Sequence, residues 1–379
     1  MKRFWPVFLS LFLLVSLLPL PAAASGIEVN AASAVLMEKE TGTALYETNA
    51  HERLAPASVT KVMTILLVMD ALESGRVTLD TPVTASAYAS GMGGSQVFLE
   101  EGEQLTVHEM LKCVAVSSAN DAAVALAEHL AGSEAAFVEQ MNARAKALGM
   151  ADTTFVNCTG LPADGHLTSA WDVALMSREL IARHPDVREY TTIWMDSIRD
   201  GAFGLSNTNR LIRFYPDATG LKTGFTDTAL YCLSATAERG GMELIAAVMK
   251  APTSEDRFQT AKRLLDYGFA RYALVDVPPD GPLPPVDVLL GTQGQVQPEL
   301  SRACRLLLPR DSIGQIATEI TLSENVAAPV EAGQKLGEMT VRVDGEVKDA
   351  IPIVAAEAIS RLSVGSVFSR LLRALCMTC

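Results

Sequence analysis

Three short groups of polar residues, far apart along the chain, carry side chains suited to one reaction. The first is Ser58 with Lys61 in PASVTKVMT (56–64). Residues three apart share a helix face, so the lysine amine would lie beside the serine hydroxyl. The surrounding Val, Met, Ile and Leu would desolvate that amine, lower its pKa and let it accept a proton. The positive end of the helix would favour an oxyanion forming at Ser58. The same position also suits a plain helix cap, since serine ahead of an apolar helix commonly accepts from free backbone N–H groups. The stretch alone leaves both readings open.

The second group is Ser118-Ala119-Asn120 in VSSAND (116–121). Beside a nucleophile, Ser118 would relay a proton between the lysine and a leaving group, and Asn120 would offer its amide to a substrate backbone. As structure alone, the group reads as a polar break between two helices. The third group is Lys222-Thr223-Gly224 in GLKTGFT (220–226). Alternation along a strand puts Lys222 and Thr223 on opposite faces, so both can serve one site only at a sheet edge. There they would bind a carboxylate, and Gly224 would let a substrate approach the backbone.

Positioning these groups takes a large α/β domain. SAVLMEKETGTALYET (33–48) gives two strand-like runs around a Glu-Thr-Gly turn. Val59 to Glu73 is apolar on nearly every face, which predicts a helix through a core. A long helical region follows from Val107 to Met150, with a second N-terminus at Ser133 and an end at Gly149. From Leu221, three strands (LKTGFT, ALYCLSATA, MELIAAVMK) precede a helix, SEDRFQTAKRLLDYGFARY. Helices on an antiparallel sheet that takes chain from both ends of the domain make an α/β (α+β) sandwich. VPPDGPLPP (277–285) then reads as a boundary. Short alternating runs beyond it predict a small all-β domain.

The two ends suggest where the protein works. MKR, an uncharged apolar run and PAAAS, with Ala22 and Ala24, read as an export signal cleaved after Ala24. At the other end, Ile359, Leu362, Val367, Leu371 and Leu375 recur at helical spacing with Arg361, Arg370 and Arg373. A basic amphipathic helix over 357–379 would lie on a membrane surface. The net charge of −13 opposes nucleic-acid binding. The six cysteines form no disulfide framework, and Cys113 and Cys232 lie in apolar runs as small buried hydrophobes. Cys376 and Cys379 form a lone C-x-x-C without a neighbouring histidine, and no H-E-x-x-H occurs. Neither a metal nor another cofactor is therefore expected.

Each group is common by itself, but S-x-x-K, S-x-N and K-T-G in this order and at these separations resemble the signature of penicillin-reactive serine enzymes. The chain resembles the low-molecular-mass penicillin-binding proteins that are D-alanyl-D-alanine carboxypeptidases. GGSQVFLEEGEQLTV (93–107), MNARAKALGMADTTFVNCTGL (141–161), HLTSAWDVALMSREL (166–180) and NTNRLI (207–212) carry the likeness further. It implies a penicillin-binding/β-lactamase-like transpeptidase domain over 25–276, after a signal peptide over 1–24. It also implies a β-sandwich domain over 277–356 and a membrane-anchoring helix over 357–379. Ser58 would attack the carbonyl between the two terminal D-alanines of a peptidoglycan stem peptide, with Lys61 as base. Ser118 and Asn120 would assist. Lys222, Thr223 and Gly224 would hold the terminal carboxylate, and the N–H groups of Ser58 and Phe225 would form the oxyanion hole. His166 and Arg257 would support the site, against simpler readings as a loop histidine and a surface ion pair. Stem peptides and β-lactam antibiotics would be the partners, at the outer face of the cytoplasmic membrane. Ala119 replaces a common Gly, and Phe225 a His found in some relatives. A D,D-endopeptidase on this scaffold stays open. A β-lactamase is disfavoured by the absence of E-x-x-L-N between the second and third motifs. A silent wall-binding protein is disfavoured by the complete set of reactive residue types.

Overall fold

The computed structural model describes residues 27–311, 313, 316–365, 367 and 368. The expected signal peptide, Cys376 and Cys379 lie outside the described residues. The first domain is built on a five-stranded antiparallel sheet of β1 (Ser33–Glu38), β2 (Ala44–Thr48), β3 (Ala218–Thr226), β4 (Leu230–Arg239) and β5 (Met242–Ala251). The order is β2-β1-β5-β4-β3, so chain from both ends of the domain meets in it and β3 forms one edge.

Both faces of the sheet are covered, which explains why its inner strands are almost wholly apolar. Val35, Met37, Ile245, Ala247 and Met249 point into the larger core with the central helices. Their alternates Ala34, Leu36, Leu244, Ala246 and Val248 pack against Phe258, Leu264 and Leu265 of a helix on the other face. The longer helices are α1 (Lys61–Glu73), α2 (Val107–Val116), α3 (Asn120–Ala131), α4 (Glu134–Ala147), α5 (Ala170–Arg183) and α6 (Ser254–Arg271). The region 107–150 is thus three helices. The breaks fall at residues 117–119 and 132–133, where Ser133 caps α4 by accepting from Ala136 N–H. The helix expected from Val59 instead begins with a 3₁₀ turn, Ala57–Thr60, before α1.

The β-rich part contains β6 (Tyr272–Asp276), β7 (Val286–Leu289), β8 (Pro298–Leu300), β9 (Arg305–Pro309), β10 (Ile316–Leu322), β11 (Asn325–Ala327), β12 (Lys335–Val343) and β13 (Glu346–Ala355). Its largest sheet runs β8-β13-β12-β10. Two features differ from expectation. β6 pairs with β9, so the Pro-rich stretch 277–285 lies inside this part and not ahead of it. The helix expected from residue 357 begins only at 364. Ile359 is instead bridged to Val330, Arg361 to Gly291, and Ile359 is buried with Val286, Val296 and Leu336. Over so few residues, helical spacing and strand alternation cannot be told apart by pattern.

Candidate active site

Ser58 lies in the 3₁₀ turn, with Pro56 as the residue before it in the capping position and no side-chain capping bond. Its hydroxyl oxygen accepts from Lys61 Nζ at 3.0 Å. The capping reading fails because the backbone N–H groups of the tight turn are satisfied locally, Val59 on Pro56 O and Lys61 on Ser58 O. Ala57, just before the serine, has φ +47°, a left-handed conformation unfavourable for a non-glycine residue. The surrounding backbone holds it there. A Cβ built on Gly160 would fall 1.8 Å from Ala57 O, and one on Gly224 would meet Pro56 O at 2.9 Å and Ser58 N at 3.0 Å. Two glycines from distant segments therefore clamp the turn from either side.

Lys61 is fully buried. Its Nζ donates to Asn120 Oδ1 at 2.5 Å and Thr159 O at 2.8 Å, as well as to Ser58. Burial lowers its pKa from 10.5 to about 7, against smaller opposing effects of Cys158 and Asp121. Placing an amine here costs several kcal/mol in desolvation. The buried residues around it on α1 (Val62, Met63, Ile65, Leu66, Val68 and Met69) offset that at about 1.5–3 kcal/mol each. The chemical consequence is specific. A neutral amine has two N–H donors and one lone pair. When the amine loses the proton it gives to Ser58, Asn120 and Thr159 hold the two N–H groups that remain, and the lone pair faces the Ser58 hydroxyl, which then donates to it.

Asn120 opens α3 and turns its amide away from solvent, donating from Nδ2 to Gly93 O at 2.6 Å. Its own N–H donates to Ser95 O, and Asp121 accepts from the N–H groups of Val97 and Leu99. The start of α3 thus fixes the loop 93–99. Ser118 is buried at the helix break with φ +63°. The Lys61 bonds go to Ser58, Asn120 and Thr159 and do not include Ser118.

The third group lies on the edge strand, as its spacing required. Lys222 is buried and bends back to donate to Thr223 O at 3.0 Å. Burial, then the charges of Lys61 and Arg257, push its pKa well below the usual lysine range. Thr223 Oγ1 donates to Thr208 Oγ1 at 2.6 Å. Phe225 is 49% exposed and stacks on Tyr231. The nucleophile turn packs directly on Gly224, where a Cβ would meet Pro56 O and Ser58 N. Arg257 is no surface ion pair. It is buried, and its Nη1 donates to Gly224 O at 3.1 Å and Cys232 O at 3.3 Å. Among the described residues, no carboxylate forms an ion pair with either Lys222 or Arg257, whose bonds go to backbone carbonyls and to Ser254 Oγ. The edge strand therefore has two buried basic side chains without a carboxylate partner, Lys222 on the strand itself and Arg257 reaching it from α6, an environment that favours an anion. Cys113 and Cys232 are buried and free, as are Cys158 and Cys304.

Residue types and spacing did not single out the third wall. Thr159 contributes only its carbonyl, so its side-chain identity carries no signal. Asn157 shapes the loop: its Oδ1 accepts from Thr159 N–H, Thr159 Oγ1–H and Gly160 N–H, and its Nδ2 donates to Leu161 O. The Asn-Cys-Thr-Gly run is the one clue, since Asn and Gly so spaced suit a turn bonded by the Asn side chain. His166 is buried behind this loop, not out on it.

A half-buried serine bonded to a fully buried lysine, beside a strand edge with unpaired basic side chains, is the arrangement of a serine hydrolase. Residues 21–253 match the family described as D-alanyl-D-alanine carboxypeptidase (peptidase S11). Residues 281–361 match the C-terminal domain of penicillin-binding protein 5. The chain is 43% identical over 332 residues to the D-alanyl-D-alanine carboxypeptidase DacF of Bacillus subtilis, covering 86% of this chain and 85% of that protein. It superposes on penicillin-binding protein 5 of Haemophilus influenzae with a TM-score of 0.76 at 28% identity, covering 88% of this chain and 98% of the other. Penicillin-binding protein D2 of Listeria monocytogenes, solved with ampicillin bound, superposes with a TM-score of 0.57 at 36% identity, over 64% of this chain and 99% of its own. The chain belongs to the peptidase S11 family and is a serine-type D-alanyl-D-alanine carboxypeptidase, with a small all-β domain following the catalytic one.

Proposed function

We propose that Ser58 is the nucleophile and Lys61 its general base. The observation that carries this reading is the saturation of two Lys61 directions by Asn120 Oδ1 and Thr159 O, which leaves the third on Ser58 Oγ. Ser58 Oγ attacks the carbonyl between the last two D-alanines of a stem pentapeptide while its proton passes to Lys61. The oxyanion lies on the N–H groups of Ser58 and Phe225. The C–N bond breaks as Ser118 relays the Lys61 proton to the departing amine, so free D-alanine leaves and an acyl-enzyme remains. Water then attacks the ester, releases the tetrapeptide and restores the Ser58 hydroxyl. Lys222 and Thr223, with the nearby charge of Arg257, receive the terminal carboxylate. Asn120 aligns the peptide. β-Lactams acylate Ser58 by the same attack.

The unmatched basic side chains Lys222 and Arg257 support cleavage next to a free C-terminus over cleavage of cross-links, whose scissile bond need not adjoin a carboxylate. A stem pentapeptide should release one equivalent of D-alanine, and its C-terminal carboxamide should react about 10- to 10²-fold more slowly, given the roughly 1.5–3 kcal/mol typical of a hydrogen bond to a charged group. Equal rates on the two, or cleavage of cross-linked dimers alone, would contradict the assignment.

We further propose that residues 1–24 are removed on export and that catalysis occupies 25–276 apart from strand β6, which pairs within the β-domain that follows. The segment following residue 363 rests on the outer face of the membrane. Val364, Val367 and Phe368 are exposed apolar side chains at the start of that segment, and no helix among the described residues is long and apolar enough to cross a bilayer. Truncation after Ser363 should move the protein from the membrane pellet to the soluble fraction. Unchanged fractionation of the truncated chain would rule this anchor out.

A further inference from the structure

We propose that His166, held as the neutral imidazole with its proton on Nε2, is a positioning residue that locks the loop 154–161 to the turn bearing Ser58 and Lys61. This rests on Lys61 being the base. The imidazole adds a tie between two segments that are otherwise joined by Lys61 Nζ on Thr159 O and Thr64 Oγ1 on Cys158 O. On one side Nε2 lies 2.9 Å from Thr60 Oγ1, on the residue before Lys61. On the other, Nδ1 is 3.1 Å from Val156 N and 3.4 Å from Asn157 N. A backbone N–H can only donate, so Nδ1 must carry a lone pair, and the proton belongs on Nε2, where it is donated to Thr60.

The second half of the lock runs through Asn157. Its carboxamide orders Thr159 and Gly160, and the Thr159 carbonyl accepts from Lys61. His166 therefore sits at the closing point of a ring: Lys61, Thr159, Asn157, His166, Thr60 and back to Lys61. Phe155, itself buried, meets the buried imidazole edge-on at 5.9 Å. Burial lowers the His166 pKa to about 4 against a smaller opposing effect of Glu134, consistent with an imidazole that stays neutral through the working range. Without the bridge, the loop would loosen at its base, the carbonyl would leave Lys61, and water would reach the amine and raise its pKa.

Three measurements on the full chain test this. In the wild type, imidazole ¹⁵N shifts should report the Nε2–H tautomer with no titration between pH 5.5 and 8; an Nδ1–H tautomer or a midpoint near 6.5 would overturn it. His166→Leu should slow penicillin acylation about tenfold, the effect of one buried hydrogen bond of ordinary worth, and move the acid limb of its pH profile upward. His166→Gln, whose amide offers one acceptor and one donor, should restore the rate to within about threefold and return the limb, as its similar donor–acceptor inventory predicts. A Gln variant as impaired as Leu, or a Leu variant with an unmoved limb, would refute the lock. A protein that acylates at Ser58 yet shows the wrong tautomer separates this failure from failure of the Ser58 reading.

Discussion

Lys61→Met should slow acylation by penicillin about 10³–10⁴-fold, the range expected on losing a positioned general base. Methionine keeps the unbranched stem that α1 buries and removes only the amine, so the fold should survive. The wild-type profile identifies the base independently. Lys61 titrates at about 7, and the neutral form is the one that accepts the Ser58 proton. Acylation should therefore be level above pH 7 and fall about tenfold for each unit below it, as the fraction of neutral amine falls. Lys61→Arg, charged at every accessible pH, should be as slow as Lys61→Met and show no such limb. A stopped-flow rate measured across pH 5–9 decides the matter. A flat profile in the wild type would assign the base elsewhere.

Gly160→Ala should be the most damaging single-methyl change in the catalytic domain. Gly160 has φ +84°, and its added Cβ would stand 1.8 Å from Ala57 O, a distance no packing tolerates. Either the loop moves off Lys61 or the turn bearing Ser58 moves off the strand, and both disable the site. Backbone strain and overpacking together should cost about 3 kcal/mol or more, lowering Tm by about 6–12 °C for a domain of this size. Gly149→Ala is the control. Gly149 has a similar φ of +74° but open space where its Cβ would go, so it should cost only about 1 kcal/mol and leave acylation intact. Thermal melts and penicillin labelling of both variants test the contrast. Equal behaviour would mean that φ alone matters and that the Gly160–Ala57 contact does not.

These two positions also mark the limits of what could be read in the sequence. Lys61 was legible because charge, spacing and apolar surroundings are all properties of residue types. Its burial follows from a helix without a polar face, and the edge position of Lys222 and Thr223 follows from strand alternation. The contribution of Thr159 was not legible, because a backbone carbonyl has no residue signature and its place depends on folding about 100 residues away. Gly160 likewise gave only a turn signal, and the contact that makes it indispensable is tertiary. Ser58 looked like a cap because the 3₁₀ turn preceding α1 leaves no pattern in the sequence. His166 and Arg257 were placed near the site by resemblance alone, and the fold shows what they bind. At the C-terminal end, Ile359 fitted a helical stripe and instead completes a small β core.

The claim on which the rest depends is that Ser58 is the residue acylated. Incubating the purified protein with benzylpenicillin and mapping the product by mass should place one penicilloyl group on the peptide containing Ser58, and Ser58→Ala should acquire none. An adduct on any other residue, or one undiminished in Ser58→Ala, would contradict the assignment of nucleophile and, with it, of Lys61 as base.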